Sequence, residues 1–120
     1  MKVYIAASHP KIKQAKLLAK KLNSIVEFEV ISLWHDVDKF AEYNSASRAF
    51  RDMFGVEQCD LFIEFIGDND SRGGRHCELG MALAWDKKII LIGSDDGCVF
   101  TNLPYLAKVD TVEKLLRKIY

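Results

Sequence analysis

The chain has 120 residues, 49% of them hydrophobic, and seventeen lysines and arginines balance seventeen aspartates and glutamates. That length fills one domain, residues 1–120, and carries a core without disulfide or metal staples. The charge balance argues against the strongly basic face that a nucleic-acid polymer would require. Cys59, Cys77 and Cys98 are an odd set without metal-ligand spacing, which fits a reducing compartment. No apolar run reaches the roughly 18 residues of a membrane span, and no apolar signal region precedes the first strand. The expectation is a cytoplasmic protein that does not engage a membrane.

Val3 to Ala7 is a short apolar run, read as a first strand placed inside the sheet. Pro10 suits the opening of a helix. From Lys11 to Leu22 the residues Ile12, Ala15, Leu18, Ala19 and Leu22 recur at helical spacing, with five lysines on the solvated face between them. Val26 to Ser32 alternates acids with β-branched and aromatic residues, the pattern of a half-exposed edge strand. Trp34 to Asn44 is irregular. Ser45 or Ser47 caps a helix to about Gln58, with Ala49, Phe50, Met53 and Phe54 expected inward.

Leu61 to Ile66 is a buried strand interrupted only by Glu64. A helix runs from Arg75 to Trp85, and Ile89 to Ile92 is a further buried strand. Ser94 to Asn102 is a loop with a turn at Asp96-Gly97. Leu106 to Val109 is a last short strand, and Thr111 caps a closing helix to Tyr120 with Val112, Leu115, Leu116 and Ile119 inward. Strands alternating with helices predict an α/β fold, a flavodoxin-like three-layer sandwich on a five-stranded parallel sheet with right-handed crossovers.

The connection between the third strand and the helix after it is longer and more polar than such connections usually are. It carries Asp68, Asp70, Arg72, Gly73, Gly74, Arg75 and His76 to the carboxyl end of the sheet, where ligands of open α/β sheets bind. Glu78 follows in what reads as the first helical turn, where the dipole favours the ionised form. An ionised carboxylate there can attack a sugar carbon, or it can do no more than stabilise its helix. Gly73-Gly74 allows close approach of backbone to an anion, and Arg72 and Arg75 can hold phosphate or carboxylate, or pair with Asp68 and Asp70. The glycines match neither a P-loop nor a dinucleotide fingerprint.

Asp60 enters the third strand and can serve as a capping residue. Asp68 and Asp70 can touch a base or hydroxyl, or simply form turns. Tyr4 lies on the first strand and, from the residues alone, reads as a buried aromatic with a satisfied hydroxyl. Cys77 lacks a partner pair for a nucleophilic triad, and His9, His35 and His76 lack metal-ligand spacing. Neither a metal nor a cofactor is expected.

These segments together resemble the nucleoside 2-deoxyribosyltransferase family. The resemblance rests on the opening Met1-Lys2-Val3-Tyr4-Ile5-Ala6-Ala7-Ser8, the helix ending near Cys59-Asp60 and the apolar strand after it. Its most specific part is Glu78-Leu79-Gly80-Met81-Ala82-Leu83-Ala84, followed by Lys87-Lys88-Ile89-Ile90-Leu91-Ile92. It implies a glutamate nucleophile at Glu78, a first-strand tyrosine at Tyr4 that orients it, and base-contacting acids at Asp60, Asp68 and Asp70. It also implies a homo-oligomer, dimer or higher, in which a neighbour supplies an asparagine, for which Asn102 is the candidate. The chain departs from the transferase pattern six residues before the glutamate, where Arg72 replaces an Asp-Ser-Gly-type loop. The arginines bring it nearer to the nucleotide N-glycoside hydrolase branch. The chain is also shorter than typical transferases.

The leading expectation is therefore an enzyme, a deoxyribosyltransferase or nucleotide N-glycoside hydrolase. It would act on a nucleoside or nucleotide small-molecule substrate at the N-glycosidic bond. The alternative is a non-catalytic nucleotide- or nucleotide-sugar-binding module on the same fold. A flavin or phosphate binder of flavodoxin type would need a Ser/Thr-rich loop after the first strand, where Ala6-Ala7-Ser8-His9-Pro10 stands instead.

Overall fold

The computed structural model describes residues 1–67, 73–94 and 97–119. Five parallel strands form one sheet: β1 (Lys2–Ala6), β2 (Glu29–Val30), β3 (Leu61–Phe65), β4 (Lys88–Ile92) and β5 (Ala107–Val109). Their order is β2-β1-β3-β4-β5, so the direction of winding reverses between β1 and β3. Such a reversal opens a crevice at the carboxyl ends of those two strands. Tyr4 pairs in register with Phe62, and Ala6 with Glu64.

The helices are α1 (Ile12–Asn23), α2 (Val37–Phe40), α3 (Ser45–Gln58), α4 (Gly74–Ala84) and α5 (Val112–Ile119), with short 3-10 turns at His9–Lys11 and Val99–Asn102. Pro10 sits in the first of these turns, ahead of α1. Asn44, rather than a serine, caps α3: its side chain accepts from the Ser47 amide at 2.9 Å. The Thr111 hydroxyl accepts from the Lys114 amide at 3.2 Å and caps α5. The residues read as irregular after Trp34 include one helical turn, α2, capped by Asp36.

The edge strand is shorter than the sequence pattern suggests. β2 spans only Glu29–Val30, and side chains take over the pairing of β1 beyond it. The Ser32 hydroxyl accepts from the Ile5 amide at 3.2 Å, and the Trp34 indole donates to the Ile5 carbonyl at 2.6 Å. The Ser32 hydroxyl also lies 2.7 Å from His35 Nε2. The buried groups are thereby satisfied without a longer ladder.

Period-two alternation sends the strand side chains to two different cores. Val3, Ile5, Ile63, Phe65, Ile90 and Ile92 pack on Ala15, Leu18, Ala19 and Leu22 of α1 and on Leu115 of α5. Tyr4, Ala6, Phe62, Ile89 and Leu91 face Val56 and Cys59 and the α4 residues Leu79 and Ala82. The first core is wholly apolar. The second includes Tyr4 and lies on the same face as Glu64, which is fully buried.

Helix α3 is rotated from the expected orientation. Its buried residues are Gly55 and Val56, whereas Phe50, Met53 and Phe54 are 70%, 40% and 56% exposed. The bulky Tyr4 ring already occupies the space beneath the helix. A small residue, not an aromatic one, must therefore face the sheet. Among the described residues no helix is long and apolar enough to cross a membrane.

Candidate active site

Helix α4 starts at Gly74, directly after Gly73, whose φ of 88° is left-handed. A side chain at Gly73 would be strained there. The Gly73 carbonyl accepts from the His76 and Cys77 amides at 3.1 and 3.0 Å. Among the described residues no atom lies within 4 Å of where a Cβ would stand at Gly73 or Gly74.

Glu78 is the fifth residue of α4, one step beyond the first turn. The Tyr4 hydroxyl on β1 donates a hydrogen bond to Glu78 Oε2. Tyr4 is fully buried, and its ring stacks parallel to Phe62 at a centroid distance of 5.8 Å. Helix α3 closes on the same ring. A Cβ at Gly55 would stand 2.8 and 2.9 Å from the Tyr4 ring carbons Cε2 and Cδ2, so only glycine lets helix and ring approach this closely. The hydroxyl is thereby aimed by backbone and by stacking rather than by a rotamer alone.

One turn before Gly55, Asp52 faces the same place. Its Oδ1 is buried with no hydrogen-bond partner among the described residues. Burial pushes the Asp52 carboxyl up to about 6, against the opposing effect of a hydrogen bond with Tyr4. Burial pushes Glu78 further, to about 8. The Tyr4 hydrogen bond lowers it, while the nearby charges of Asp52 and Glu64 add to the rise. Burial and the same two carboxyls, Glu78 and Asp52, hold the Tyr4 phenol well above its ordinary value, so it stays a donor. The expectation that the helix dipole keeps Glu78 ionised is corrected here: dipole effects fade beyond the first turn, and desolvation dominates.

Glu64 forms a second charged group beneath α4. Its Oε2 lies 3.3 Å from Arg75 Nη1 and 3.2 Å from His76 Nδ1. The Arg75 side chain is only 2% exposed. Its guanidinium reaches inward to Glu64, a partner the sequence did not suggest. Deleting one member of such a buried pair is costly because the other keeps an uncompensated charge.

Of the remaining sequence candidates the structure describes Asp60 and Asn102. Asp60 accepts from the Lys2 amide at 2.8 Å. That contact lies at the amino-terminal edge of the sheet, the end opposite the crevice, because Asp60 precedes β3 in a parallel array. Asn102 is exposed and receives a hydrogen bond from Lys108 Nζ at 3.0 Å. Asp68, Asp70 and Arg72 lie outside the described residues, as does Asp96 of the expected turn. Cys59 is buried and its thiol is pushed up to about 11 by desolvation. Among the described residues no cluster of three or more His, Cys, Asp or Glu could hold a metal ion.

Asp52 and Glu64 were not legible as site residues. Asp52 lies in a helix whose aromatic stripe drew attention to the other face. The available signal was the small-residue spacing Asp52, Gly55, Val56, Cys59. Glu64 stood out only as a single acid inside an apolar strand.

No family model matches the sequence, and no curated protein matches it. Solved structures share its architecture along nearly the whole chain. A CMP N-glycosidase from Clostridium botulinum superposes with a TM-score of 0.64 at 22% identity, covering 99% of this chain and 98% of its own. A 2-deoxyribosyltransferase from Bacillus psychrosaccharolyticus gives 0.71 at 19% identity, with 96% and 90% covered. A conserved protein from Enterococcus faecalis gives 0.73 at 18% identity, with 99% and 96% covered. At these identities the likeness establishes the fold. It is the flavodoxin-like α/β sandwich that the alternation of strands and helices predicted.

Proposed function

We propose that this protein is a nucleoside 2-deoxyribosyltransferase-like enzyme that cleaves or transfers at the N-glycosidic bond of a nucleoside or nucleoside 5′-monophosphate. The observation that carries the reading is the Tyr4 hydroxyl bonded to Glu78, with the Asp52 carboxyl beside it, its Oδ1 buried without a hydrogen-bond partner among the described residues. Fold likeness to an N-glycosidase and a deoxyribosyltransferase supports it. Ionised Glu78 attacks C1′, and the C1′–N bond breaks with its electron pair leaving on the base. The Asp52 carboxyl gives its proton to that nitrogen. Water, or a second base, then attacks C1′ and releases Glu78 as carboxylate, while Asp52 takes the proton back. Tyr4 holds Glu78 in line and gives up hydrogen bonding to the oxygen that becomes the ester.

Two carboxyls pushed up to about 6 and about 8 share one proton between those values. The reactive arrangement has it on Asp52. The isomer with it on Glu78 carries the same number of protons, so both rise and fall together with pH. The start of α4 at Gly73-Gly74 lies at the positive end of the helix dipole, which suits the phosphate of a monophosphate. The chemistry calls for neither metal nor cofactor, and the protein would work as a homo-oligomer.

The test is incubation with a panel of nucleosides and their 5′-monophosphates, with and without a second base, followed by chromatography. Free base or a new nucleoside is expected, and neither should form with Glu78→Gln. Tight binding of panel members without any turnover would instead establish a non-catalytic binding module.

A further inference from the structure

A polar cleft lies between α1 and the segment that runs from the end of β2 into α2. It measures about 380 Å³, and Lys16, Asn23, Ser32, His35, Asp36 and Lys39 stand in its wall. None of these residues touches Glu78 or its partners. His35 is only 7% exposed and Ser32 only 4%, so part of this polar wall is built into the fold.

The hydrogen bonds behind the wall run in one direction. The Ile5 amide can only donate, and the Ser32 hydroxyl oxygen accepts from it at 3.2 Å. The buried hydroxyl proton then needs an acceptor of its own, and His35 Nε2 stands 2.7 Å away. Nε2 is therefore the acceptor, and the neutral ring carries its proton on Nδ1. Burial holds the imidazole below its ordinary value, with Asp36 opposing and Lys16 adding to the shift, so the ring is uncharged in neutral solution. Trp34 packs edge-on against it at 5.6 Å. The ring's hydrogen bond among the described residues is the one at Nε2, which leaves Nδ1–H as a positioned donor for the cleft. Asn23 Oδ1 accepts from the Val30 amide at 2.8 Å, so its NH2 is left to donate. Lys16 and Lys39 are exposed at the rim. The one acid in the wall, Asp36, is turned to its own helix, where Oδ1 accepts from the Lys39 amide at 3.3 Å.

We propose that this cleft binds the phosphate group of a small phosphate monoester, with His35 Nδ1–H and the Asn23 amide as directional donors and the Lys16 and Lys39 ammoniums as counter-charge. Donors outnumber acceptors and the wall is net positive, which selects an anion. The donors arrive from α1, from α2 and from the segment before it, and so match the three terminal oxygens of a phosphate better than the two of a carboxylate. Ser32 and the β1 backbone already fix His35, so little ordering cost falls on it when the anion binds. The inference does not depend on what Glu78 does.

NMR of the full chain, read at the imidazole nitrogens of His9, His35 and His76, tests it. The probes are glycerol 3-phosphate and malonate, each compared with sodium chloride at the same ionic strength. His35 should show the Nδ1–H tautomer in the protein alone and shift saturably with glycerol 3-phosphate, with a Kd on the order of 1 mM. The double variant Lys16→Ala/Lys39→Ala, which alters only exposed side chains, should raise that Kd at least ~10-fold. His76, near the start of α4, reports phosphate held there instead. A His35 signal that responds no more than in sodium chloride, or equally in the double variant, would overturn the site, as would saturation at His76 alone. An Nε2–H ring would overturn the donor assignment, and tighter binding of malonate would overturn the choice of phosphate.

Discussion

The two faces of the sheet come from the same strands, yet they serve different ends. On the face covered by α1 and α5, Val3, Ile5, Ile63 and Ile90 belong to one apolar cluster with α1 and Leu115. On the face covered by α3 and α4, the intervening residues Tyr4 and Glu64 bring a phenol and a carboxyl into the interior, where Asp52, Arg75 and Glu78 surround them. Burial that stabilises the first face works against the second, because desolvation penalises each ionised carboxyl there. Both sides bury apolar side chains, but only the second also holds carboxyls whose pKa is raised, as acid–base chemistry uses.

The largest expected effect breaks the chemistry and spares the fold. Glu78→Gln should reduce base release by about 10³ or more, by analogy with other nucleophile deletions. It should also melt above the wild type at pH 8. The Glu78 pKa is raised from 4.5 to about 8, so its contribution to stability is full below 4.5 and lost as pH rises through 8. At pH 4 the two melting temperatures should converge. A Glu78→Gln protein that melts lower at pH 8 would mean that the charged form is favoured in the fold.

The opposite face should give the opposite result. Leu18 is 1% exposed in the apolar core, and Leu18→Ala should cost about 2–5 kcal/mol of stability. Turnover per folded molecule should not change. Denaturant melts beside rates at low temperature check this, and a loss of kcat in fully folded protein would show that the two faces are coupled.

Gly55→Ala probes the boundary between them. Its Cβ would press on the Tyr4 ring at 2.8 Å and displace the hydroxyl from Glu78. Misplacement on the scale of 1 Å costs roughly 10²-fold in rate. In a Tyr4→Phe background the same substitution should cost much less, since no hydroxyl is left to misplace. Equal losses in both backgrounds would separate Gly55 from Tyr4.

Tyr4→Phe alone should give a smaller loss and a shifted profile. The wild-type kcat/KM is expected to be bell-shaped, with limbs near the values of about 6 and about 8 that the carboxyls show. The Tyr4 hydrogen bond lowers both carboxyls, so removing it should move both limbs upward. A profile with unmoved limbs would remove Tyr4 from the proton balance.

Much of the fold was legible in the sequence because hydrophobic period reports the face of an element directly. The α1 stripe of Ala15, Leu18, Ala19 and Leu22 is buried as its spacing predicts, and the strand order places β1 inside the sheet. The same rule failed for α3, where Phe50, Met53 and Phe54 share a stripe that faces solvent. Period shows that a helix has an apolar face, but not whether its own chain or another molecule covers it. The Tyr4–Glu78 contact joins residues 74 positions apart, and it entered the reading through family resemblance, not through spacing. Asp52 escaped because the aromatic stripe of α3 points to the other face, and the spacing Asp52, Gly55, Val56, Cys59 marks the buried face only once that stripe is known to be exposed. The inward turn of Arg75 escaped because Glu64, its partner, lies on a different element.

The central claim is that Glu78 forms a bond to the sugar. The direct measurement is mass spectrometry of the protein after acid quench during turnover of a nucleoside or 5′-monophosphate that the panel identifies as substrate. The account predicts a sugar adduct on the peptide that contains Glu78, absent from Glu78→Gln. Base release by folded Glu78→Gln at the wild-type rate, with no adduct on the wild type, would contradict it.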